Sequence, residues 1–145
     1  MSERYQLGDC SCLRLRKMAR RVTQLYDQIM APAGLSVTQF GLLAHAWFLK
    51  DVSVSELGEH LVMDPSTVTR NLRPLVDRGW VELKVSARDR RQREVHLTKA
   101  GATVLGEARP YWVEAQRQLR DMLGDQRATL LNDALDTALD RLLPA

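Results

Sequence analysis

The stretch Asp64–Thr98 constrains the fold more than any other part of the chain. Asp64-Pro65 opens a helix. The carboxylate can accept from the free N–H groups of the first turn, and proline at the first helical position forfeits no bond. Val68, Leu72, Leu75 and Val76 recur at helical spacing and form a buried stripe. Ser66, Thr67, Thr69, Arg70 and Arg73 are left outward. Gly79 is placed for a left-handed stop. Pro74 lacks the N–H that would bond the Arg70 carbonyl and should bend the last turn. Val81, Leu83 and Val85 then alternate with Trp80, Glu82 and Lys84, and Val95 and Leu97 alternate with Glu94 and His96. These are two strands of a hairpin, joined by the polar loop Ser86–Gln92. A helix, a glycine stop and an arginine-rich hairpin in that order describe a winged helix-turn-helix.

The flanks read as helices. Leu15, Met18, Val22, Leu25 and Ile29 line one side of a helix that Asp9 or Ser11 could cap and Ala31-Pro32-Ala33-Gly34 ends. Ser36-Val37-Thr38-Gln39 and Ser53-Val54-Ser55-Glu56 have the form of capping boxes. The first opens a helix with Phe40, Leu43, Ala44 and Trp47 on its apolar side. The second opens a short one with Leu57 and Leu61 inward, where Gly58 permits close approach of another helix. Thr98 caps a long helix carrying Val104, Leu105, Ala108, Trp112, Ala115, Leu119 and Met122, which Gly106 and Pro110 should kink. After Gly124 a last helix carries Leu131, Ala134, Leu135, Ala138 and Leu142. The fold class is mainly α with a small β-hairpin (α+β). Residues 1–145 form one domain, with 36–98 the winged lobe and 8–32 and 99–145 a helical region. The first and last helices have apolar faces without an evident partner in the same core, so a symmetric homodimer built on them is expected.

Charge distribution points to function. The net charge is only +3, yet five basic residues and one acid lie between Lys84 and Arg93. A local cationic patch on a near-balanced protein marks a site rather than general adhesion. A helix fits the major groove and reads it with its N-terminal residues. Arg70 suits a bidentate contact to guanine, Arg73 a base or phosphate, and Ser66, Thr67 and Thr69 close approach. Arg88, Arg90 and Arg91 on the hairpin tip suit the minor groove. Asp89 among them is a structural acid that shapes the loop and aims an arginine. No apolar run reaches the roughly 18 residues a membrane span needs, and the polar start is no signal peptide. A cytoplasmic, membrane-free protein is expected, without a cofactor. No nucleophile–base pair, metal-protease motif, phosphate loop or catalytic carboxylate pair is evident, so an enzyme is not expected.

At these residues the chain resembles the MarR family of bacterial transcription regulators. The resemblance rests on Ser53–Leu57, Pro65–Arg70, Leu75–Gly79 and the wing pattern D-x-R followed by L-T, met here by Asp89, Arg91, Leu97 and Thr98. It implies a homodimer with two winged lobes on a pseudo-palindromic double-stranded operator, usually as a repressor. It also implies that Asp89 orders the wing, that Arg91 enters the minor groove, and that Ser66, Thr67, Thr69, Arg70 and Arg73 lie on the recognition helix. A protein-interaction adaptor of the same fold is the alternative, separable by the salt dependence of duplex binding.

Such regulators commonly release DNA when a small molecule, often an aromatic acid, binds between the helices and the lobe, or when cysteine is oxidised. For an aromatic carboxylate, Arg16 with Ser11 and Cys12 could hold the acid, and His45 and Trp47 could supply a donor and a ring face. Arg16 reads equally as a solvated helix arginine, His45 as an ordinary histidine and Trp47 as core. Cys10 and Cys12 sit at a helix start followed by arginines, which favours the thiolate. A disulfide between them would be strained, so oxidation would link subunits or form a sulfenic acid; simple packing at a dimer interface is the other reading. The scattered histidines do not suggest a metal site.

Overall fold

The computed structural model describes residues 7–142. The first residues of the polar start and the end of the 99–145 region lie outside the described residues. The helices are α1 (Ser11–Met30), α2 (Val37–Leu49), α3 (Val54–Leu61), α4 (Pro65–Asp77), α5 (Lys99–Leu123) and α6 (Asp125–Arg141). Three strands, β1 (Val52–Ser53), β2 (Val81–Val85) and β3 (Arg93–Leu97), form an antiparallel sheet in the order β1-β3-β2. The chain is mostly helical with one small sheet. The hairpin has a third strand that sequence did not suggest, since two residues carry no alternation.

The helix starts follow their sequences. In both capping boxes the hydroxyl accepts from the N–H three residues on, Gln39 at 3.1 Å and Glu56 at 3.0 Å. The Gln39 and Glu56 side chains accept the Ser36 and Ser53 N–H in return. Thr98 accepts from Gly101 N–H at 3.0 Å and donates its hydroxyl to the Gly79 carbonyl at 2.6 Å, tying the end of α4 to the start of α5. The first helix differs. Its cap is Cys10, with no side-chain cap bond, because Asp9 belongs to a preceding 3-10 turn and faces Arg14 at 3.9 Å. α4 and α5 run through Pro74 and through Gly106 and Pro110 as single helices.

The core belongs to the winged lobe. Leu42, Leu43, Leu57, Val68, Leu72, Leu75, Val81 and Val95 are almost wholly buried, joined by Met30 from the end of α1 and Ala108 from α5. Phe40 stacks on Trp112 with centroids 5.4 Å apart, fixing α2 against α5. The expected stripe on α1 behaves otherwise. Leu15 is 52% exposed and Met18, Val22, Leu25 and Ile29 are half-buried, while Tyr26 and Met30 carry the packing. Met122, Leu130, Leu139 and Leu142 are exposed, and α6 buries only Ala128. Trp47, expected on the apolar side of α2, is 60% exposed.

The turn between α3 and α4 holds Val62 in the left-handed region, φ 53°, with 75% of its surface exposed. A β-branched residue is strained there, and this one contributes little packing in return. Val62→Gly is expected to stabilise the fold by about 1 kcal/mol in denaturant melts, the relief of strain exceeding glycine's extra freedom in the unfolded chain.

Candidate nucleic-acid interface and effector cleft

Asp64 organises the start of α4. Its carboxylate accepts the Thr67 N–H at 2.9 Å, the Thr67 hydroxyl at 2.9 Å and the Ser66 hydroxyl. These bonds, the Ser66 hydroxyl foremost, hold its carboxyl down at about 2. Thr69 donates its hydroxyl to the Pro65 carbonyl at 2.9 Å. All three hydroxyls thus spend their protons within the helix and offer the outside only acceptor lone pairs. The donors on this face are the guanidinium groups. Arg70 lies over the first turn, donating to Thr67 Oγ1 at 3.3 Å, and Arg73 is exposed one turn on.

The wing tip is built around Asp89. Its carboxylate accepts the Arg91 N–H at 3.0 Å, Arg91 Nε at 3.1 Å and Arg91 Nη2 at 3.2 Å. The bonds to the Arg91 side chain and then its N–H lower the Asp89 pKa. Arg91 is therefore 90% exposed in its side chain yet fixed in direction, and the lone acid in the patch is the group that fixes it. Arg90 is exposed beside it. Arg88 is exposed too, but its guanidinium donates to the Asp51 carbonyl at 3.1 Å and lies 3.9 Å from Glu94 and 4.0 Å from Glu56. These contacts tie the wing to the lobe.

Beneath the tip, Glu94 and His96 do not face solvent as simple alternation implies. Glu94 is 9% exposed and His96 half-buried, because Ser86, Arg88 and Asp51 fold over that face of β3. The Ser86 hydroxyl donates to Glu94 at 2.7 Å and, with His96 and Arg88, lowers the Glu94 pKa. Asp51, Glu94 and His96 form the one trio of potential metal-ligand atoms among the described residues, all within 4.8 Å. The ring nitrogens face different carboxylates, Nδ1 Asp51 and Nε2 Glu94, and Arg88 stands beside Glu94.

A cleft of about 530 Å³ opens between α2 and α5. Phe40, Ala44, Trp47, Leu105 and Trp112 wall it, and Arg109 is the single charged side chain on its rim. An apolar, aromatic slot with one cation suits a flat ring bearing a carboxylate. Of the residues singled out for a ligand, only Trp47 lines it. His45 turns to its own helix, its Nδ1 2.7 Å from the Gly41 carbonyl. Ser11, Cys12 and Arg16 are exposed on the first turns of α1, outside the cleft. Cys10, half-buried, and Cys12, exposed, are free thiols. Sequence places Trp112 on the apolar stripe of the long helix and gives no sign that Arg109 lies beside it at a cleft. A second groove, about 720 Å³, runs between α1, α5 and α6, lined by Leu15, Met18, Val22, Leu119, Leu131 and Leu135. No helix among the described residues is long and apolar enough to cross a membrane.

Residues 33–92 match the MarR family. Over 106 residues the chain is 27% identical to the organic hydroperoxide resistance transcriptional regulator of Bacillus subtilis, covering 73% of this chain and 72% of that protein. Over 123 residues it is 28% identical to the multiple antibiotic resistance protein MarR of Salmonella typhimurium, covering 83% and 82%. Its fold is similar to that of the M. tuberculosis transcriptional regulator MosR in complex with DNA. The TM-score is 0.76 at 31% identity, with 92% of this chain and all of that one (100%) covered.

Proposed function

The chain belongs to the MarR family of DNA-binding, winged-helix transcriptional regulators, and from that premise we propose that it is a cytoplasmic, homodimeric repressor released from its operator by a small aromatic carboxylate. The observation that carries the DNA reading is the Asp89–Arg91 clamp, which holds an exposed guanidinium at the tip of the wing beside a recognition helix presenting Arg70 and Arg73. Residues 36–98 serve as the DNA lobe, with Ser66, Thr67 and Thr69 accepting at the groove wall and Arg90 reaching phosphate. Residues 8–32 and 99–145 serve as the dimerisation region, supported by the exposed apolar side chains of α1, α5 and α6. A two-fold dimer places two lobes on two half-sites of a pseudo-palindrome. The protein acts by binding, not by catalysis.

The α2–α5 cleft is the effector site in this reading, with Arg109 holding the carboxylate and Trp47 and Trp112 the ring. A second reading has the trigger at Cys10 and Cys12. It is favoured by two free thiols at an uncapped helix start and by the similarity to a hydroperoxide-resistance regulator.

One assay separates these. A duplex selected from a random pool by the wild-type protein is bound, and benzoic and hydroxybenzoic acids are titrated in. Release is expected, and Arg109→Ala should raise the concentration needed by about tenfold or more, the worth of a charged hydrogen bond. Release by an organic hydroperoxide alone, lost when Cys10 and Cys12 are replaced by serine, selects the second reading. Binding that does not weaken with salt returns the chain to an adaptor.

A further inference from the structure

The cleft between α2 and α5 has two ends. At one, Trp112 stacks on Phe40. At the other, Trp47 of α2 and Ala102 of α5 line it together, so the two helices run antiparallel along it. From Trp112 back to Ala102 the α5 side is about 15 Å long. Arg109 and Gly106 lie between, one turn apart, with Arg109 nearer the Trp112 end and Gly106 nearer the Trp47 end.

Gly106 has no local reason to be glycine. It sits inside the 25-residue α5, where only proline is a poorer helix former. Its backbone is not left-handed, unlike that of Gly34, Gly79 and Gly124. Close packing does not require it either. A Cβ at Gly58 would lie 2.5 Å from the Met63 carbonyl oxygen, whereas one at Gly106 would meet nothing within 4 Å. Pro110, one turn on, has no N–H for the Gly106 carbonyl, yet the position has room for a side chain all the same. What the missing side chain leaves open is the cleft itself. Gly41 of α2 has equal room and lies off the cleft.

With the cleft as the effector site, the reading on which this rests, we propose that Gly106 is its specificity-determining residue and that it admits a fused two-ring aromatic carboxylate in preference to a single-ring acid. The carboxylate pairs with Arg109, the first ring lies at the Trp112 end, and the second crosses Gly106 to the Trp47 indole. A single ring beside Arg109 reaches one indole and leaves much of the 530 Å³ to water. The second ring gains the other indole and covers Trp47, which is 60% exposed. A branched side chain at Gly106 would fill the passage between the two ends and leave the Trp112 end open.

Calorimetric titration of the DNA-free protein with benzoate and with naphthoate tests this. The wild type is expected to bind naphthoate about tenfold or more tighter than benzoate, the worth of one further aromatic contact and its buried area. Gly106→Leu should lower naphthoate affinity about tenfold and benzoate affinity about threefold at most, so that the preference is largely lost. Leucine is a good helix former, so this variant should melt no lower than the wild type. Gly41→Ala, which changes helix propensity off the cleft, should keep the preference. A preference retained in Gly106→Leu overturns the proposal, as does an equal loss of both acids or a wild type that binds the two alike. A lower melting temperature in Gly106→Leu also overturns it, since α5 would then need the glycine for its backbone. If neither acid binds, or Arg109→Ala leaves both affinities unchanged, the effector reading of the cleft has failed; if Arg109→Ala weakens both acids while Gly106→Leu keeps the preference, only the role of Gly106 has.

Discussion

Arg91→Ala is expected to weaken duplex binding by about tenfold to a hundredfold at fixed salt, the cost of one well-placed arginine at a groove. The log–log salt slope should also fall by about one if the guanidinium displaces a counterion. The side chain is exposed yet held by three bonds to Asp89, so little conformational freedom remains to be lost on contact. A companion variant separates aim from charge. Asp89→Ala makes the wing more positive and would tighten binding if net charge alone mattered. With the clamp gone, Arg91 swings freely, and binding should weaken instead. Fluorescence anisotropy of a labelled duplex measures both, and tighter binding by Asp89→Ala would sink the clamp.

Gly101→Ala is expected to lower stability by about 3 kcal/mol and the Tm by roughly 10 °C. A Cβ at this buried position in the first turn of α5 would lie 2.0 Å from the Trp80 carbonyl oxygen and 2.7 Å from Leu97 Cδ1. The carbonyl cannot easily yield, since it accepts the Thr98 N–H at 3.0 Å. Five residues further along the same helix the substitution should reverse sign. Gly106 has nothing within 4 Å of its virtual Cβ, so Gly106→Ala should add about 0.5–1 kcal/mol through helix propensity alone. Equal effects at the two sites in thermal melts would contradict the packing described.

Local signals decided what could be foreseen. The capping boxes, the Asp64 cap, the Gly79 stop and the loop role of Asp89 each involve residues a few positions apart, and each is met in the folded chain. The MarR resemblance came from the same kind of short spacing. What sequence concealed depends on distant partners. The contacts of Arg88 are hidden because its partners Glu56 and Asp51 lie more than thirty residues away. Glu94 and His96 looked solvent-facing because alternation cannot tell which face another segment covers. The stripe on α1 reads as apolar, but the residues it buries are Tyr26 and Met30 at its far end, and of these Met30 joins the core. The cleft needs α2 and α5 side by side, which periodicity does not supply, so sequence groups Trp47 with Arg16 rather than with Arg109.

The environments of the three tryptophans have a practical consequence. Trp80 lies under the Arg78 guanidinium, 4.7 Å from its ring centroid, and Trp112 is stacked on Phe40. Trp47 alone is largely bare, at the mouth of the cleft. Water-quenchable emission should therefore report chiefly on that one indole, and the chain carries a native optical gauge of whether its cleft is filled.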